Sequence, residues 1–261
     1  LSLVSAVKEG GRWAVKWVES TPSGGTDDGL KGAVTGLLRG FGSKGPLFIS
    51  IPDSSAECLI MDFKGLPSKD SDTLAVVKLR AAKELFLRPD DYSASYQAIS
   101  NGGGVRVFAV LARSSYIRSI EEGAKDAGAE VKTIRPHSVS LLNLLSERNV
   151  PERDFVIALR LEGSFATLFF KDGTLDFYRQ KPLAKGDPYR ELKATFVSYG
   201  GMRQGQNLEK VFVLSTDTAF TDAVKRAVDN LPVEEMRSVD FLTGEVPGDW
   251  LSIASALGSS L

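Results

Sequence analysis

Cysteine and histidine are nearly absent: the 261-residue chain has one of each, Cys58 and His137. A lone cysteine forms no internal disulfide, so the chain favours a reducing compartment. A Ser-His-Asp or Cys-His mechanism would have to run through His137, and zinc sites ordinarily draw on more His and Cys than this. A dominant charge is also missing. The 32 Lys and Arg face 33 Asp and Glu, for a formal net charge of -1. That balance excludes a strong overall field toward nucleic acid or an anionic membrane. No apolar run reaches the length of a membrane span, and no signal peptide is visible. What remains is ordinary for a globular chain: 43% hydrophobic and 25% charged residues, with length for one large or two modest domains.

The rare residues read as structural. In "RPHSVSLLNLL", His137 and Ser138 stand just before an apolar helix, where a helix cap suits either of them. Cys58, inside "SAECLIMDF", reads as a small core residue.

The element pattern is that of an α/β protein with two similar halves. "LSLVSAV" and "RWAVKWVES" alternate about "KEGG", a hairpin. After a polar, glycine-containing linker at Ser20 to Gly25, "DDGLKGAVTGLLRGF" puts Leu30, Val34, Leu37 and Leu38 on one helical face behind two aspartates. "PLFISIP" is then a near-continuous apolar strand. The second half repeats the order. "FVIALRLEGSFATLFFKDGTLDFYRQ" gives three strands, with Asp172-Gly173 as a tight turn. A helix around Pro188 to Tyr199, the buried strand "KVFVLS" and the amphipathic helix "AFTDAVKRAVDNL" follow. The repeat predicts two facing α/β domains, 1–150 and 151–261. An insertion at about 57–133 in the first reads strand–helix–strand–strand–helix–strand. Its glycine run 102–104 is read as a hairpin turn and not as a phosphate loop. The final "WLSIASALGSSL" is read as the closing helix of the second domain.

On this order of elements the chain resembles the actin-like ATPase superfamily in its FtsA-like form. Within it the chain is similar to the family of PilM and the cytoplasmic domain of GspL, platform proteins of type IV pilus assembly and type II secretion. The stretches that carry the resemblance are "FISIPDSSAECLIMDFKGLPSKDSDTLAVVKLRAAKELFLRPDDYSASYQAI", "VFAVLARSSYIRSIEEGAKDAGAEVKTIRPHSVSLLNLL" and "IALRLEGSFATLFFKDGTLDFYRQKPL". The resemblance spans nearly the whole chain, through loose motifs. It implies an actin-like (ribonuclease H-like) two-domain fold with an inserted α/β subdomain.

It also implies where nucleotide would bind, and there the chain departs from the pattern. The second phosphate turn, Asp-x-Gly in the family, falls on Leu161-Glu162-Gly163 and runs on to Ser164. Leu161 cannot hold a metal-bound water. Glu162 points to the other face of the strand and would set negative charge near a triphosphate. The adenosine turn, glycine-rich in the family, is Ser215-Thr216 here, followed by Asp217. Only about 30 residues separate Gln180 from Lys210, room for one helix and not for a nucleotide-covering subdomain. The first two strands match the family's second and third, so the first phosphate turn is expected upstream of residue 1, or not at all. Both surviving turns are therefore read as vestigial, with no catalytic residue, no metal and no cofactor.

The functional expectation is a non-catalytic scaffold, cytoplasmic and held at the bacterial inner membrane by its partners, with no nucleic acid and no direct membrane insertion. The resemblance implies two protein partners: the N-terminal tail of a single-span inner-membrane assembly protein, docking beside residues 57–133, and a motor ATPase. The alternative is an enzyme of the same superfold, an ATPase or a sugar-kinase-like phosphotransferase. It would need a carboxylate from Asp53, Asp172 or Asp217, each of which also reads as a turn or capping residue. The final helix lacks the basic face of a membrane-surface segment, which sets aside a filament module anchored in that way.

Overall fold

The computed structural model describes every residue except 1, 10–11, 22–25, 42–45, 102–103, 147–151, 162, 184–186, 203–207 and 244–249. The first half opens with β1 (Ser2–Glu9) and β2 (Arg12–Ser20), an antiparallel pair, followed by α1 (Asp27–Phe41) and β3 (Pro46–Ile51). Leu30, Val34, Leu37 and Leu38 of α1 are all buried, as their spacing predicts. Next come β4 (Ala56–Phe63), α2 (Asp70–Glu84), β5 (Tyr92–Asn101) and β6 (Gly104–Arg113), then α3 (Ser114–Asp126), β7 (Glu130–Pro136) and α4 (His137–Ser146). The expected order within 57–133 is present. Its sheet, however, is made by three strands alone, in the order β4-β6-β5, antiparallel throughout. β7 instead pairs parallel with β3, and α3 packs on α1. The helices approach closely at Gly123, where a Cβ would stand 2.7 Å from the Lys31 carbonyl oxygen and 2.9 Å from Val34 Cβ. Gly102 and Gly103 of the expected hairpin turn lie outside the described residues, and Gly104 begins β6.

The second half contains β8 (Phe155–Leu161), β9 (Ser164–Lys171), β10 (Thr174–Pro182), α5 (Tyr189–Met202), β11 (Lys210–Leu214), α6 (Thr218–Ala227), β12 (Val233–Met236), β13 (Leu242–Thr243) and α7 (Trp250–Gly258). Five of the strands form one sheet in the order β10-β9-β8-β11-β12. β8 is central, parallel to β11 and antiparallel to β9. Its residues alternate between two cores. Val156 and Ala158 pack with Phe165, Phe169, Tyr199, Val211 and Phe220. Ile157, Leu159 and Leu161 join the larger core that includes Leu141 and Leu144 of α4 and Trp250 and Ile253 of α7. The Asp172-Gly173 turn has φ of 51° and 74°, the left-handed pair that a two-residue hairpin requires.

The end of the chain is placed otherwise than its sequence suggests. β13 pairs parallel with β2, and α7 packs on α4, β1 and β3, so the final helix closes the first domain and not the second. The reason is steric and apolar. Nearly every described side chain of α7 is buried, and Gly258 lies so near α4 that a Cβ there would meet the Ser140 carbonyl oxygen at 1.9 Å. The second-half sheet already has α5 and α6 on its other core, whereas the first half offers α7 an apolar wall.

Candidate functional site

Two concave sites among the described residues differ in character. The first is the cleft at the expected nucleotide turns. His137, Arg160, Leu161, Thr216, Asp217, Leu251 and Ser252 enclose a cavity of about 190 Å³. β8 delivers Arg160 and Leu161, the turn after β11 delivers Thr216 and Asp217, α4 delivers His137, and α7 delivers the last two. Glu162 lies outside the described residues. Gly163 has φ of 68° and accepts a hydrogen bond from Leu183 N at 2.8 Å. Ser164 is 3% exposed, and its hydroxyl has no hydrogen-bond partner among the described residues. Ser215 folds back on Asp217, its hydroxyl accepting from Asp217 N at 2.9 Å.

Arg160 organises this cleft. Its guanidinium donates to the carbonyl oxygens of Leu161 and, at 3.2 Å, Ser164, on either side of the phosphate-type turn. Its Nε faces Asp217 Oδ2 at 3.6 Å. Asp217 in turn caps α6, accepting from Ala219 N at 2.9 Å and Phe220 N at 3.4 Å. The only carboxylate on the described cleft wall is thus engaged by a helix terminus and a guanidinium, and its neighbour Leu161 is apolar. A magnesium ion takes oxygen ligands with water, and this set does not fit a magnesium–nucleotide. No cluster of His, Cys, Asp and Glu suited to a metal occurs among the described residues. Arg160 was legible in one respect only: it is the single charge in the apolar run "FVIALRL".

The other two aspartates do not meet in the cleft. Asp172 sits at the far end of β9 from Ser164, and its amide is held by Asp154 Oδ1 at 2.8 Å. Asp53 is 2% exposed and accepts from Ser138 N at 3.0 Å, from the Ser138 hydroxyl, and from Tyr178 OH at 3.2 Å. Burial pushes its carboxyl above the ordinary range, against the lowering effect of Ser138, His137 and Tyr178. Burial likewise pushes up the Cys58 thiol and the Tyr178 phenol. Tyr178 was not singled out by sequence. It carries β10 of the second half onto the start of α4, and nothing in "TLDFYRQ" marks that contact.

The second site is a groove of about 180 Å³ between the inserted sheet and the first domain. Ser93 and Ser95 of β5 form one wall, and Lys132 and Thr133 of β7 the other, over a floor that includes Val110 and Ile117. Both walls are sheet edges among the described strands: β5 pairs only with β6, and β7 only with β3. Free backbone groups along two edges over an apolar floor suit an extended peptide, which can add as a strand.

Two lobes about a cleft, with a sheet subdomain inserted in the first, define the class: the chain has the actin-like ATPase fold. Within it the form is PilM- and GspL-like. It superposes on a chain of the PilM–PilN type IV pilus biogenesis complex with a TM-score of 0.72 and 15% identity, over 99% of this chain and 94% of that one. The cytoplasmic domain of EpsL, an inner-membrane component of the type II secretion system of Vibrio cholerae, matches with a TM-score of 0.55 and 11% identity, over 100% and 89%. A protein from Bacteroides thetaiotaomicron with an actin-like ATPase fold matches with 0.53 and 8%, over 86% and 81%. No protein-family model and no curated protein sequence matches the chain. No described helix is long and apolar enough to cross a membrane.

Proposed function

We propose that this chain is a non-catalytic platform component of a type IV pilus or type II secretion assembly. In this reading it works on the cytoplasmic side of the inner membrane, binds the N-terminal tail of a single-span membrane partner in the groove between β5 and β7, and passes that contact to a motor ATPase. The observation that carries the reading is the contrast between the two concave sites. In the cleft the one described carboxylate, Asp217, is engaged by Arg160 and a helix terminus, while the groove presents two sheet edges and an apolar floor. The shared fold with the PilM–PilN complex supports a protein partner of the PilN kind.

The test is binding of a peptide from the N-terminal tail of the candidate membrane partner, measured by fluorescence anisotropy with the whole chain. Ser95→Trp fills the groove from an exposed wall position and should weaken binding at least tenfold without changing the circular dichroism spectrum. Equal binding by Ser95→Trp places the tail elsewhere. In parallel, calorimetric titration with magnesium-ATP should give no saturable heat. A micromolar isotherm would return the chain to the ATPase or phosphotransferase reading.

A further inference from the structure

The outer face of α2 carries a stripe that neither site uses. Thr73, Val77, Ala81 and Ala82 of α2 are buried on its inner side. On the outer side lie Asp72, Ala75, Val76, Leu79 and Lys83, all exposed and spaced i, i+3, i+4, i+7 and i+11, so they share one face. Leu79 is 62% exposed and Val76 42%. Beyond the helix end Phe86 is 97% exposed at φ 56°.

Phe86 has a local cause but no local benefit. The α2 terminus is a Schellman-type cap: Leu87 N donates to Ala82 O at 2.8 Å and Phe86 N to Lys83 O at 3.3 Å. That cap places Phe86 in the left-handed region, which glycine adopts freely and a bulky residue does not. An aromatic ring in solvent at a strained position adds no packing within this chain, so its use lies outside it.

The stripe is complementary to itself when reversed. Asp72 lies at its N-terminal end, Lys83 at its C-terminal end, and the apolar residues between, and neither Asp72 nor Lys83 has an ion-pair partner among the described residues. A second copy laid antiparallel about a two-fold axis midway between positions 77 and 78 brings Lys83 beside Asp72 and Leu79 against Val76, each pair twice. The same axis sets Phe86 over the exposed Lys69 of the other copy, a cation–π pairing, and opposes the two helix dipoles. A membrane is a poorer occupant. From position 69 to position 91 the five Lys and Arg are balanced by five Asp and Glu, so an anionic surface finds no net attraction. We propose that this face is a homodimer interface, formed by α2 of two chains packed antiparallel through Val76, Leu79 and Phe86.

One helix face is smaller than a standard interface, so the dimer is weak and appears on concentration. Sedimentation velocity of the whole chain across a concentration series should show the coefficient rising toward that of a dimer. Leu79→Asp, at an exposed position, should leave the circular dichroism spectrum unchanged and weaken the dimer at least tenfold. Asp72→Lys and Lys83→Asp should each weaken it about tenfold, and the double variant should restore it, because reversing both signs preserves the antiparallel register. A monomer at every concentration, a dimer indifferent to Leu79→Asp, or a double variant no better than the singles would overturn the proposal.

Discussion

The two halves of this chain share an element order but not a way of being held together. The second half has one five-stranded sheet with β8 at its centre, apolar on both faces and buried under α5 and α6 on one of them. In the first half, apart from the inserted β4-β6-β5 sheet, the strands are divided between β1-β2, which β13 joins from the end of the chain, and β3-β7, and no described strand pairs across the two. The link there is helical: α7, on loan from the far end of the chain, touches β1, β3 and α4 together. A sheet with a central strand is secured by its ladder and by aromatic packing. A divided one depends on helices that approach closely enough to need glycine, as at Gly258 on Ser140 and Gly123 on Lys31. The second half is thus sensitive to loss of aromatic volume in its core, and the first to single added atoms at its helix crossings.

The largest effect should come from the aromatic core. Phe169 is fully buried, stacked on Tyr199 at 4.2 Å and edge-on to Phe177 and Phe196. Phe169→Ala should cost about 3–5 kcal/mol in urea unfolding. Next is Gly258→Ala, whose single methyl forces α7 off α4 and should cost about 3 kcal/mol. Near-ultraviolet dichroism from Trp250, stacked 6.0 Å from Phe241, reports that shift. Following both variants also tests the comparison itself. The larger core includes residues of both halves, so both substitutions should lower one shared transition. Two separate transitions, each moved by one variant alone, would show the halves to be independent units.

The smallest effect tests the seam between the halves through pH. Asp53 holds its proton more tightly in the folded chain than in the unfolded one, where an aspartate titrates near about 3.9. The folded state then binds the extra proton, so this group's contribution to stability grows as pH falls through its raised value and is lost as pH rises. Asp53→Asn removes the slope and leaves a constant offset from its altered bonding to Ser138 and Tyr178. From about pH 7 down to about pH 4 the wild-type urea midpoint should therefore rise relative to that of the variant. Parallel curves would show that Asp53 does not titrate within the fold.

Much of the local structure was legible in the residues. The spacing of Leu30, Val34, Leu37 and Leu38 named a buried helix face, and Asp172-Gly173 named its hairpin, because both signals are carried by neighbours in sequence. Leu161 and Ser215-Thr216 were assigned to nucleotide turns only through the resemblance, and what the structure adds is that Leu161 and Thr216 line one cleft. The role of Arg160 could be suspected only from its being a lone charge in an apolar strand. That its guanidinium folds onto the turn's own carbonyls and Asp217 depends on the path of β11, some fifty positions later.

The sequence by itself determined the elements, their repeat and their apolar faces, since each follows from periodicity and turn chemistry within a few residues. Tertiary structure alone decided the company they keep. β7 leaves the insertion to pair with β3, α7 crosses to the first domain, Tyr178 reaches Asp53, and two sheet edges come to face one groove. Those choices rest on which buried surfaces fit at atomic distance, as Gly258 against Ser140 shows, and a pattern of apolar and polar letters carries no such distances.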